Sequence, residues 1–188
     1  MDINEYKTNN RNRALKNKEE QRFKFNEYIK EFLIKELGFR NDYYDFEGEE
    51  FEWLDTAYGV DYIFYSKTTG DAIPVQLRIL NDPYVTIRVS SSGHKTEYYN
   101  CIEKLLNFEE LGIVSLEDIS NTLTIQVYFQ SKGYFKVAIV PTVDLYNWLE
   151  ENKGNLKIVD NGIDGNQYIR IHPDVFKTIK NSRILVKS

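Results

Sequence analysis

Gly59-Val60-Asp61-Tyr62-Ile63-Phe64-Tyr65-Ser66, the turn Lys67-Thr68-Thr69-Gly70-Asp71, and Ile73-Pro74-Val75-Gln76-Leu77-Arg78 form the stretch that decides the fold. Both flanks are rich in β-branched and aromatic residues, and the middle holds the small polar residues and glycine of a tight turn, so a hairpin is expected. Asp61 stands near the start of the first strand. Gln76 and Arg78 lie two apart on the second, and alternation puts them on one face. Pairing of the strands brings Asp61 alongside. An acid, a second oxygen ligand and a cation on one sheet face suit a divalent metal that activates water against a phosphodiester.

Outward from the hairpin, a helix is expected from about Lys18 to Leu37, with Phe25, Tyr28, Ile29, Phe32, Leu33 and Leu37 on one arc and Gly38 as the stop. Glu36 falls in the middle of that arc at roughly 100° per residue; in a frayed last turn it would reach water instead. Strands are expected at about 50–54, 60–66, 72–80 and 84–89, then at 122–130 and 134–140 around the turn at Gln130–Gly133. Pro74 suggests that the start of its strand lacks a ladder partner. Thr96 can cap a helix to about Phe108, and Thr142 a helix over Val143–Glu151. The tail reads as two strands, a short helix at 173–181 that His172 caps, and a last strand at 183–187. The acidic run 41–52 reads as a solvated loop or edge.

A chain of 188 residues with 41% hydrophobic and 14% aromatic content can bury a real core, and is neither disordered nor collagenous. The expected class is α/β or α+β: a polar basic arm at 1–17, then a single domain at 18–188. Cys101 stands alone, which excludes an internal disulfide and fits a reducing, cytoplasmic setting. No apolar run approaches a membrane span, and the start lacks a signal-peptide pattern. His94, His172 and Cys101 are too scattered for a structural zinc site, and no phosphate loop, dinucleotide fingerprint or nucleophile elbow is present. The net charge is −5, unevenly spread. Residues 1–40 carry ten Lys/Arg against seven Asp/Glu, whereas residues 41–60 carry seven acids and no base.

The order of these parts resembles the PD-(D/E)XK, or restriction-endonuclease-like, nuclease superfamily. The resemblance rests on Glu36 on the helix, Gly59-Val60-Asp61, and Val75-Gln76-Leu77-Arg78, and covers roughly residues 18–90. It implies a nuclease-like core of helix and mixed sheet and a Mg²⁺-dependent endonuclease acting on DNA, with Mn²⁺ as a substitute. Asp61 is then the main metal ligand, Gln76 holds the second acidic position, and the Leu77 carbonyl is a neighbouring ligand. Glu36 would ligate through water or a second ion, and Arg78 would take the lysine position beside the scissile phosphate. Gln is neutral and should hold the ion more weakly than a carboxylate. Arg cannot be deprotonated at working pH and so cannot be the general base.

Phosphate contacts are expected from Arg88, Lys95, Arg11, Arg13, Lys16 and Lys18. A homodimer would supply the two sites that double-strand cutting needs. Two other readings use the same residues. One is a degenerate nuclease fold kept as a protein- or DNA-binding module, such as a phage-type factor that blocks or recruits a host protein. The other is an acidic DNA mimic built around residues 41–55, with Glu47, Glu49, Glu50 and Glu52 as its charges. In the plainest reading, Asp61 is a strand-edge charge, and Gln76 and Arg78 are a solvated strand face.

Overall fold

A computed structural model of the chain describes residue 16 and residues 19–45, 60–90, 121–160 and 167–188. The expected strand at 50–54 and the expected helix at 96–108 lie outside the described residues. Residues 19–24 are helical and run into a π turn, Phe25–Ile29, and then α1, Lys30–Leu37. Gly38 ends the helix in the left-handed region at φ 67°, where a side chain would be strained, and its N–H donates to the Ile34 carbonyl. The chain turns there into β1, Phe39–Asp45.

The hairpin forms as expected from β2, Tyr62–Ser66, and β3, Ala72–Leu80, with Tyr62 opposite Val75 and Tyr65 opposite Ala72. Its turn is closed by the Ser66 N–H on the Asp71 carbonyl at 2.9 Å, and Ser66 Oγ accepts the Thr69 N–H at 3.2 Å. β4, Val85–Ser90, follows; then come β5, Leu123–Ser131, and β6, Tyr134–Pro141. After α2, Thr142–Asn152, the chain continues through β7, Ile158–Asp160, β8, Gln167–Ile171, α3, Pro173–Phe176, and β9, Arg183–Lys187. His172 caps α3 as expected, its Nδ1 accepting the Asp174 N–H at 3.2 Å.

The larger sheet is mixed, ordered β1-β2-β3-β5-β6-β9, and β4-β8-β7 make a second, smaller one. Among the described strands only β3 and β5 pair in parallel, starting at Val75 opposite Leu123. Pro74 therefore sits one residue outside that ladder, where its missing N–H costs nothing.

Strand alternation gives the large sheet two buried faces. Val75, Leu77, Ile79, Ile125, Val127, Phe135, Val137 and Ile139 line one, and Phe25, Ile29, Leu33 and Ile34 of the helix cover it. Rings dominate its β1–β2 end: Phe25 stacks on Tyr62 at 4.3 Å and Phe39 on Phe64 at 4.7 Å. On the opposite face, Val140 and the half-buried Ala138 and Ile184 meet Leu145 and Leu149 of α2, Val85, Ile87, Ile169 and Ile171 of the small sheet, and Phe176. The architecture is thus mixed α/β, helix on one side and small sheet with α2 on the other. Among the described residues no helix is long and apolar enough to cross a membrane.

Phe64 is fully buried among stacked rings, whereas Tyr44 on the edge strand is 60% exposed. Phe64→Ala should lower the unfolding free energy by about 3–5 kcal/mol in urea titration, and Tyr44→Ala by less than about 1 kcal/mol. Equal losses would contradict this placing of the core.

Candidate functional site

β3 runs on past the first residue of β2, which would leave the Leu77 N–H on that edge without a strand partner. Asp61 supplies one. Its own N–H donates to the Val75 carbonyl at 2.9 Å, and its Oδ2 accepts the Leu77 N–H at 2.6 Å. These two bonds bracket Gln76 and fix Asp61 beside it. Asp61 is half-buried and Gln76 is 5% exposed. The carboxylate here takes the place of a missing β2 carbonyl, and a carboxylate offers about four lone-pair sites. The peptide N–H and C=O of one strand residue leave by the same edge, so the Leu77 carbonyl lies on the Asp61 side as well.

Arg78 follows two residues on, on the Gln76 face, and is half-buried. Its ladder partner on β5 is Gln126, and Gln76 is partnered by Thr124. Gln76, Thr124 and Gln126 are buried and carry no charge. Among the described residues no carboxylate forms an ion pair with Arg78, whereas Arg22 pairs with Asp45, Arg40 with Asp42 and Arg170 with Asp82. A guanidinium presents planar donors in the fork geometry that carboxylates and phosphates accept in pairs.

Gln126 is the residue that sequence reasoning missed. Its Oε1 accepts the Thr86 N–H at 2.9 Å and its Nε2 donates to the Thr86 carbonyl at 2.8 Å. A side-chain amide thus satisfies the open edge of β4 and joins the two sheets. The available signal was one carboxamide inside the apolar strand Leu123–Phe129. Nearby, Thr124 and Thr142 share a hydroxyl contact of 3.0 Å, and the Thr142 N–H donates to the Thr122 carbonyl at 2.8 Å.

Glu36 does not join the site. It is exposed on α1, which packs on the Val75–Leu77–Ile79 face, opposite Gln76 and Arg78. The π turn upstream winds less per residue than an α-helix, so a wheel drawn at a constant angle loses phase across it. Ile34 is buried where the wheel had Glu36 facing inward. Lys16 is helical and exposed, and Arg88 lies on β4 opposite Tyr168. Arg11, Arg13, Lys18 and Lys95 lie outside the described residues, as do Glu47, Glu49, Glu50 and Glu52. Of the acidic run, Asp42 is held by Arg40 at 2.8 and 2.7 Å and Asp45 by Arg22 at 3.2 Å, on a regular edge strand rather than a loop.

Among the described residues no group of three or more His, Cys, Asp or Glu side chains could hold a metal ion. By register the Asp61 carboxylate, the Gln76 carboxamide and the Leu77 carbonyl belong to neighbouring positions at this strand end. Their chemistry, all oxygen with one carboxylate, is of the kind Mg²⁺ or Mn²⁺ accepts, since these ions keep several waters and need only one or two carboxylates besides substrate oxygens. Compared with protein-family models, curated proteins and solved structures, the chain matches none.

Asp61→Ala would orphan the Leu77 N–H and should cost about 1–3 kcal/mol of stability. Asp61→Asn keeps an acceptor oxygen and should recover most of that loss. Chemical denaturation of the two variants checks this; equal destabilisation would contradict the strand-end bond.

Proposed function

We propose that the chain is a nuclease-like domain that binds a DNA phosphodiester at Arg78 and hydrolyses it with a divalent metal held at Asp61, Gln76 and the Leu77 carbonyl. The observation that carries this reading is the bracketing of Gln76 by the two Asp61 bonds, with Arg78 on the same face and in no ion pair among the described residues. It is supported by the strand–turn–strand context that the PD-(D/E)XK resemblance requires.

A Mg²⁺ or Mn²⁺ ion bound there would supply a water of lowered pKa and polarise the phosphoryl oxygens. Asp61 orients the strand edge that carries the other ligands. Arg78 donates hydrogen bonds to the oxygens on which charge gathers as water attacks phosphorus and the bond to the leaving oxygen breaks. Being always protonated, it cannot accept the proton of water, which passes to solvent or to a phosphate oxygen.

A second reading is favoured by one observation: the sole carboxylate of the set already accepts a backbone N–H, and Gln76 adds no charge. A binding module that grips a phosphate without cutting it would keep this arrangement. Nicking of supercoiled DNA with Mn²⁺, alongside DNA binding, separates the two. Wild type should nick; Asp61→Asn should stay folded and lose nicking; Arg78→Gln should nick about a hundredfold more slowly. Wild-type rates in Asp61→Asn would move the chemistry elsewhere, and binding without any nicking would establish the module.

A further inference from the structure

Gln126 has two features that an ordinary sheet residue lacks. Its amide is spent on both backbone groups of Thr86, which makes β4 a wall beside the β3–β5 ladder. It is also the ladder partner of Arg78, so the two side chains leave adjacent strands toward the same face. A glutamate at this position would have the same size and would capture the guanidinium. A hydrophobic residue would leave the Thr86 N–H and C=O unmet. Only a carboxamide closes the wall and leaves the cation open to an external ligand.

We infer that Gln126 is the positioning residue of the phosphate site, tying β4 to the ladder at Arg78's own rung with a neutral group, so that the guanidinium meets no carboxylate from its ladder partner. This rests on the phosphate reading of Arg78, and it adds that the grip on the oxyanion needs no metal. Among the described residues, register places these groups around position 126: β3 brings Arg78, with Asp61 one strand further; β4 brings Thr86, whose own partner on β8 is Arg170, held by Asp82; β6 brings Ala138 directly opposite, with Lys136 one pair along opposite Tyr128. From α2, Asp144 is engaged by the Asn181 amide at 2.8 Å. Arg78 is the cation nearest by register.

The test is the affinity of the full chain for a short dye-labelled DNA oligonucleotide in EDTA, from about pH 4 to about pH 8. Wild type at each pH is the baseline, because the chain passes through its isoelectric point near 5.2 within that range and DNA affinity follows net charge. Gln126→Glu should bind like wild type while its new carboxyl is protonated, since a protonated acid can both accept from and donate to Thr86. As pH rises and the carboxyl ionises, affinity should fall about tenfold relative to wild type at the same pH. In an Arg78→Gln background the same substitution should add no pH-dependent loss. Where Gln126→Glu does not fold, Gln126→Met serves: it keeps the volume, breaks both bonds, and should bind about fivefold more weakly than wild type at every pH. Wild-type affinity for Gln126→Glu at neutral pH, a loss equal at every pH, or unchanged affinity for Gln126→Met would each overturn the inference. Failure of wild type to bind at all in EDTA would overturn the metal-free grip, and failure to bind with Mn²⁺ as well would sink the phosphate reading beneath it.

Discussion

The parallel pairing of β3 with β5 is the constraint on which the rest of the molecule depends. These two strands form the middle of the large sheet, and both their faces are covered. Their odd-numbered residues, from Val75 to Ile79 and at Ile125 and Val127, carry the main apolar core. Alternation then forces the even-numbered residues to the other face, where Gln76, Arg78, Thr124 and Gln126 stand as a polar seam between two apolar regions. Buried polar groups are costly unless bonded, so such a seam persists only where each group has a partner or a task. Gln126 and Thr124 have partners on β4 and α2. Arg78 has none among the described acids, and that asymmetry is what points to a ligand.

The same seam decides how the candidate site is built. β2 begins at Tyr62, level with Val75, and Asp61 extends its edge by other means, one backbone bond and one side-chain bond. A residue that ends a strand in this way is structural first. Its chemistry follows from what it leaves assembled: a carboxylate, a peptide carbonyl and a carboxamide at one edge, with a guanidinium two residues further. Structural and functional roles are not rivals at Asp61, because an asparagine can satisfy the first and not the second.

Much of this was legible in the sequence. Alternation in Ile73–Arg78 and the Lys67–Asp71 turn gave β2, β3 and their pairing, and the tail elements, with His172 as a cap, followed from local signals. β1 was hidden because an edge strand facing water can be as acidic as Asn41–Asp45, and only Phe39 and Tyr43 pack against the core. Glu36 was misplaced because a π turn carries no residue signature and shifts the phase of everything after it. Gln126 was unreadable as a joint between sheets, since its partner is the backbone of Thr86, and a backbone partner leaves no mark on the residue type forty positions away. The second sheet was hidden for a related reason: strand composition says little about which strand pairs with which.

The account stands or falls on where a divalent ion settles. Titration of Mn²⁺ into isotopically labelled protein, followed by amide NMR, tests it most directly, because the ion broadens only nearby resonances. The amides of Asp61, Gln76, Leu77 and Arg78 should fade first, while those around Glu36 on the far side of the sheet persist. Broadening centred on other acids, or none at all, would contradict the site.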